Sequence, residues 1–191
     1  RKLMYKLFFK RIIDLIVSLI LLIILIIPFI LIAILIKLDS KGNIFYRQIR
    51  VGQNCKEFKI FKFRTMVSNA DKIGGYSTSK DDNRITKIGQ FLRKTSLDEL
   101  PQVINVILGD MSLIGPRPDV PAQKINYTEK EWVKRHIVKP GISGLAQCRN
   151  RHNITNSGRK KYDLFYNRKV NFILDIKIVF WTLKVLKKGS Y

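Results

Sequence analysis

Cysteine and histidine are almost missing from this sequence, two of each in 191 residues. Cys55 and Cys148 form no close-spaced motif. A disulfide framework is therefore excluded, and two histidines leave no zinc constellation. The cysteine usage fits a reducing compartment. Acids are also scarce: 14 Asp and Glu stand against 36 Lys and Arg, a formal net charge of +22. An excess of that size draws anions, whether phospholipid headgroups, nucleotides or nucleic acid. No internal repeat is present, no low-complexity segment beyond one apolar run, and no recognised nucleic-acid module. The length fits one compact domain with an attached membrane segment.

The apolar run extends from Leu15 to Ile36 and is almost wholly Ile, Leu, Val and Phe. As a straight helix it rises about 33 Å, comparable to the bilayer hydrocarbon. A single transmembrane span is one reading. Two features favour a re-entrant segment instead. Basic residues flank both ends: Arg1, Lys2, Lys6, Lys10 and Arg11 before, Lys37, Lys41, Arg47 and Arg50 after. A spanning helix carries its basic excess on the cytoplasmic side. Pro28 near the middle removes a backbone hydrogen bond and kinks the helix, so a helix-break-helix is expected there. No small-residue cleavage site follows, which argues against a cleaved signal peptide. Residues 1–38 are thus read as the membrane segment and 39–191 as the remaining domain.

That domain is predicted to be mixed α+β, helix-rich with a small sheet. Ile44 to Arg50 and Phe58 to Arg64 read as strands around a Gly52-Gln53-Asn54 turn. Lys62 and Arg64 end the second strand, either presented towards a site or as a solvated basic edge. The span 73–83 reads as a loop, Ile85 to Lys94 as a helix, and Met111 to Ile114 as a short buried strand. Lys139 to Gly144 is a tight loop whose amides suit a phosphate. Phe172 to Lys188 is a basic amphipathic helix, either interfacial on an anionic membrane or an ordinary core helix.

Asp98 and Glu99 form an acid pair amid abundant positive charge, a candidate for chemistry on an anionic substrate. Their structural reading is a capping box, Ser96-Leu97-Asp98-Glu99, opening a helix that Gly109 stops. Downstream, Gly115-Pro116-Arg117-Pro118 is a rigid turn that fixes one arginine, whose planar fork suits phosphate. Carboxylate pair, basic surface and membrane segment together suggest an enzyme joining a water-soluble phosphate compound to a lipid. The rival is a non-enzymatic, membrane-tethered basic protein binding nucleic acid or acidic lipid.

Pro28 within the apolar segment, KFRTM at 62–66, RITKIG at 84–89, RKTSLDELPQ at 93–102, NVILGDMSLIGPRP at 105–118, KPGISGLAQ at 139–147 and LDIKI at 174–178 occur in one collinear order. In this the chain resembles the small monotopic phosphoglycosyl transferases, bacterial sugar transferases that load polyprenyl phosphate. The resemblance implies that Asp98 and Glu99 are a catalytic dyad, with Asp98 carrying a covalent phosphosugar from a UDP-sugar and passing it to polyprenyl phosphate with release of UMP. It implies Mg²⁺ held by Asp98 and the diphosphate, with Glu99 positioning groups or assisting proton transfer. Arg93 matches an arginine near the active site, and Lys62, Arg64, Arg117 and Arg151 match basic positions that hold phosphates. It further implies a monotopic enzyme on the cytoplasmic face of the bacterial inner membrane. Its partners would be UDP-sugar, polyprenyl phosphate and membrane lipid, without nucleic acid, and a homodimer is compatible with it. Two departures stand out. Ile27-Pro28 replaces the usual Ser-Pro, and Asn150-Arg151-His152 replaces a Gly-Arg-Asn element, a plausible place for sugar specificity. The start at Arg1 is expected to be that of a nearly complete small enzyme rather than a fragment of a larger multi-span relative.

Overall fold

The computed structural model describes residues 5–74, 82–149 and 155–187. After a short π-helical start, Tyr5–Phe9, one helix, α1, runs from Lys10 to Asp39. At 30 residues it is about 45 Å long. Pro28 lies inside it, so the expected break does not end the helix. A proline forfeits one hydrogen bond and strains one turn, and long Leu- and Ile-rich stretches on both sides carry the helix through. Among the described residues, α1 is the one helix long and apolar enough to cross a membrane. It buries Asp14, Ser18, Ile32 and Ile36 along one stripe and exposes Ile16, Ile20, Ile23, Ile27, Ile30 and Leu31.

The two aromatic, β-branched runs pair as expected. Strand β1 (Phe45–Val51) lies antiparallel to β2 (Glu57–Phe63), in register from Phe45↔Phe63 to Val51↔Glu57. Helix α2 (Lys87–Thr95) is capped by Thr86, whose hydroxyl accepts the Gly89 amide at 3.0 Å. A 3₁₀ turn, Leu97–Glu99, leads through Pro101 into α3 (Gln102–Leu108). Gly109 ends α3 in the left-handed region, at φ 95°, where a glycine carries no Cβ penalty.

Strand β3 (Ser112–Ile114) pairs in parallel with β4 (Gly141–Ser143), and α4 (Glu129–Arg135) lies between them in sequence. Two two-stranded sheets thus stand where one small sheet was expected. Within the loop at 139–144 the Gly141 amide is taken, donating to Pro116 O at 2.9 Å, and Ser143 O accepts the Gly115 amide at 2.8 Å. A Cβ on Gly141 would sit 2.0 Å from Gly115 N, so this backbone pairing excludes a side chain there.

Helices α5 (Leu145–Arg149), α6 (Asn156–Lys169) and α7 (Phe172–Lys187) complete the chain. On α7 the buried residues are Asp175 and Ile178, while Phe172, Ile173, Ile176, Val179, Phe180 and Leu183 are exposed. Its apolar face is turned away from the core. The loop expected at 73–83 lies mostly outside the described residues.

Candidate active site

The acid pair sits on the 3₁₀ turn between two anchors. Leu97 and Leu100 pack into a cluster with Ile32 and Ile36 of α1, Phe63 of β2 and Leu92 of α2. With its flanking leucines packed, partly buried, against that cluster, the turn holds Asp98 and Glu99 between them. Ser96 takes a left-handed backbone, φ 59°, and makes no side-chain cap. The capping box is thus not formed, because the Glu99 carboxylate is drawn elsewhere. Its Oε1 accepts from Lys62 Nζ at 2.7 Å, and Arg117 meets it with a fork, Nη2 to Oε1 at 2.7 Å and Nη1 to Oε2 at 3.2 Å.

These contacts separate the two acids electrostatically. Burial pushes Glu99 up, but the charges and hydrogen bonds of Arg117 and Lys62 outweigh it and hold Glu99 well below the usual carboxylate range. Burial raises Asp98, with Glu99 adding to the effect against the pull of Lys62, Arg93 and Arg117. None of the ion pairs among the described residues takes up the Asp98 carboxylate. The two neighbouring carboxyls are thus driven apart, Glu99 towards the ionised form and Asp98 towards a more basic oxygen.

Each cation is placed by a different element. Lys62 comes from β2, which is fastened to α3 through Asn105. That side chain, wholly buried, accepts from Phe61 N at 2.8 Å and donates to Lys59 O at 2.9 Å. Burial lowers the Lys62 pKa against the pull of Glu99. Arg93, in the last turn of α2, donates from Nε to Thr65 Oγ1 at 2.9 Å. A Cβ on Gly89 would meet Thr65 O at 2.1 Å, so glycine is what lets α2 lie this close to the segment after β2. Arg117 is carried by the Gly-Pro-Arg-Pro turn.

Of the basic residues singled out in the sequence, Lys62, Arg93 and Arg117 surround the acids. Arg64 has a different place: it is buried, and its Nη2 donates to Ser40 O at 2.6 Å and to Ile36 O at 3.3 Å. It satisfies carbonyls at the end of α1. Arg151 lies outside the described residues.

A buried ionic support lies behind the Arg117 turn, and sequence reasoning passed over it. Arg135 pairs with both Asp119 and Asp163, and its Nη2 donates to Arg117 O at 2.9 Å. Burial pushes Asp119 up, but hydrogen bonding from His136 and the Arg135 charge win and lower it. Arg50 adds a bond from Nη1 to Pro118 O at 3.0 Å. Scarcity itself was the available signal: in a chain with 14 acids, Asp14, Asp119, Asp163 and Asp175 are all buried. Buried carboxylates need partners.

Among the described residues no cluster of three His, Cys, Asp or Glu forms a metal cage. Mg²⁺ does not require one, since it is bound through one or two carboxylates plus substrate phosphates. Asp98, outside every ion pair among the described residues, fits that donor set. Glu99, committed to Lys62 and Arg117, does not.

Two neighbouring acids with pKa values driven apart, ringed by Lys62, Arg93 and Arg117, stand beside a helix long and apolar enough to cross a membrane. Residues 5–189 match the bacterial sugar transferase family, and the chain belongs to that family. It is 42% identical over 167 residues to the UDP-glucose:undecaprenyl-phosphate glucose-1-phosphate transferase of Klebsiella pneumoniae, covering 82% of this chain and 36% of that protein. It is 41% identical over 159 residues to the exopolysaccharide production protein PSS of Rhizobium leguminosarum bv. phaseoli, 78% of this chain and 80% of that one. To the UDP-N-acetylgalactosamine-undecaprenyl-phosphate N-acetylgalactosaminephosphotransferase of Aeromonas hydrophila it is 38% identical over 160 residues, 81% and 38%. The chain thus spans little more than a third of two of these relatives and most of the other.

Proposed function

We propose that the chain transfers a sugar 1-phosphate from a UDP-sugar to polyprenyl phosphate at a membrane surface, in exopolysaccharide or related glycoconjugate synthesis. The observation that carries this reading is the contrast within the acid pair: Glu99 is locked between Lys62 and Arg117 while Asp98 stands outside every ion pair among the described residues. Family membership and the printed activities of the Klebsiella and Aeromonas relatives support the substrate classes.

An Asp98 oxygen attacks the β-phosphorus of the UDP-sugar. The bond from that phosphorus to the bridging oxygen breaks, and UMP leaves with the electron pair. An oxygen of polyprenyl phosphate then attacks the same phosphorus. The Asp98 oxygen–phosphorus bond breaks, giving polyprenyl-diphosphate sugar and free carboxylate. Two unit charges 4 Å apart repel by about 1 kcal/mol in water and several-fold more in a drier site, so an anionic nucleophile needs cations near the phosphate. Lys62, Arg93 and Arg117 supply them. Mg²⁺, when bound by Asp98 and the diphosphate, supplies further charge neutralisation. Covalent catalysis suits substrates of opposite solubility, because each uses the same site in turn.

The membrane segment belongs to the same reading. Both ends of α1 are held by one domain. Near its start, Lys10 pairs with Asp175 at 2.7 Å, Arg11 donates to Ile107 O at 3.0 Å, and Asp14 accepts from Leu113 N at 3.2 Å. Near its end, Asp39 accepts from Ile88 N at 3.0 Å and Arg64 binds Ser40 O. One domain holding both ends of α1 supports a reading in which the helix enters and leaves by one face, taken to be the cytoplasmic one where UDP-sugars are made. The exposed apolar side of α7 lies in the same interface.

Purified protein, labelled UDP-sugars and undecaprenyl phosphate provide the test. Wild type releases UMP, stops on chelation of divalent cations, and shows an adduct of sugar-phosphate mass on the peptide containing Asp98. Asp98→Asn loses both. UMP release undiminished in that variant overturns the assignment.

A further inference from the structure

Helix α6 turns a single stripe towards the core: Asp163, Tyr166 and Val170 are buried, at the three- and four-residue spacing of one helix face. Asp163 pairs with Arg135, and Tyr166 donates to Ile114 O at 3.1 Å, so the stripe is fixed at two points. Its first member, one turn before Asp163, is Arg159. The titratable groups acting on it are Arg117, Arg135, Asp119 and Tyr127. Burial first, and then the Arg117 and Arg135 charges, lower the Arg159 pKa. No carboxylate among the described residues lies within ion-pair distance of it.

Arg50 approaches the same turn from β1. Its two terminal nitrogens hold Pro118 O and Gln48 Oε1, while its Nε is buried without a partner. Burial and the Arg117 charge lower its pKa as well. The nearby carboxylates are spent elsewhere: Glu99 on Lys62 and Arg117, Asp119 and Asp163 on Arg135. Arg50, bonded to Pro118 O, and Arg159, one turn from the Asp163 that pairs with Arg135, thus flank the Arg117 turn, and neither forms an ion pair among the described residues. Like charges held together in a partly buried place cost free energy, which a bound anion offsets. The planar guanidinium fork matches the oxygens of phosphate.

We infer that Arg159 is a phosphate-binding residue of this site, taking a substrate phosphate beside Arg117 while Arg50 frames the turn. This rests on the reaction proposed above, in which both the nucleotide and the lipid bring a phosphate group. Lys160, its neighbour in sequence, instead pairs with Glu131 at 3.3 Å and serves as a control.

The test measures binding of UMP and, separately, of undecaprenyl phosphate to the full chain in detergent, at several salt concentrations. Arg159→Gln is expected to weaken one of the two about tenfold or more and to flatten its salt dependence; the ligand affected names the source of the phosphate. Arg159→Lys keeps the charge without the fork and falls between. Lys160→Gln binds as wild type does. Thermal melts confirm folding. Should Arg159→Gln fail to fold, Arg159→Lys decides, and wild-type affinity in it overturns the inference. Wild-type affinity of Arg159→Gln for both ligands overturns it equally, as does a wild type that binds neither. UMP release surviving Asp98→Asn sinks the reaction while leaving the binding result standing, so the two failures are distinct.

Discussion

At the residue scale the decisive fact is what Glu99 does with its charge. An acid in the first turn after Ser96 has an obvious local use, back-bonding to the Ser96 amide. It takes a distant one instead, because a lysine on β2 and an arginine on the Gly-Pro-Arg-Pro turn offer charged donors at 2.7 Å. Those same cations are wanted by a phosphate, so Glu99 and the substrate compete for them. Glu99→Gln is therefore expected to bind UMP more tightly than wild type and yet turn over about 10–100-fold more slowly, since the cations lose the partner that orients them. Equilibrium binding and steady-state UMP release, measured side by side, check both directions. Weaker UMP binding in the variant rules out the competition. Arg64 gives the opposite lesson. It stands two residues after Lys62 in the same basic run, yet it binds carbonyls at the end of α1. Spacing along a strand fixes which face a residue takes, and the surrounding helices fix what it finds there.

At the element scale the site depends on how β2 is fastened to α3. Asn105 bridges them, accepting one β2 amide and donating to one β2 carbonyl while also reaching Asp110 Oδ2 at 3.2 Å. Nothing in local sequence marks it, because an Asn in mid-helix reads as a weak helix former. Its role exists only once β2 lies alongside. Asn105→Leu leaves a buried amide and carbonyl unpaired, at about 1–3 kcal/mol each. A fall in melting temperature of roughly 5–15 °C is expected for a chain of this size, with a loss of UMP release beyond what the melt accounts for, since Lys62 rides on the same strand. An unchanged melt counts against the bridge. The strands, α2 and the Gly109 stop were legible beforehand because β-branched alternation, helical spacing and a left-handed glycine are local signals. Strand β4 was not, since Lys139 to Gly144 carries the proline and glycines of a tight loop and becomes a strand only against β3.

At the scale of the whole molecule, one domain holds both ends of a 30-residue apolar helix. The expected outcome is that cysteines introduced at Phe8 and at Lys41, in a chain lacking Cys55 and Cys148, are both labelled by a membrane-impermeant reagent from the cytoplasmic side. Labelling from opposite faces makes α1 a span and separates Lys10 from Asp175. The same layout divides the exposed apolar surface between distant parts of the chain. The exposed Ile and Leu of α1 and the exposed Phe172, Phe180 and Leu183 of α7 form separate apolar faces on one domain, at the two ends of the sequence.

Sequence alone determined the elements that rest on neighbours within a few residues: the apolar segment, the β1–β2 hairpin, the acid pair and the rigid arginine turn. It also placed the chain among its relatives, because ordered motifs survive as text. Tertiary structure alone decided which acid is pinned by ion pairs, that Arg64 serves the end of α1, that Arg135 with two buried aspartates supports Arg117, and that α1 is gripped at both ends. The reason is physical. Backbone preference and hydrophobic period act over a turn or a pleat, whereas a carboxylate's partner and its pKa are set by whatever charge the fold brings within a few ångströms, from any distance along the chain.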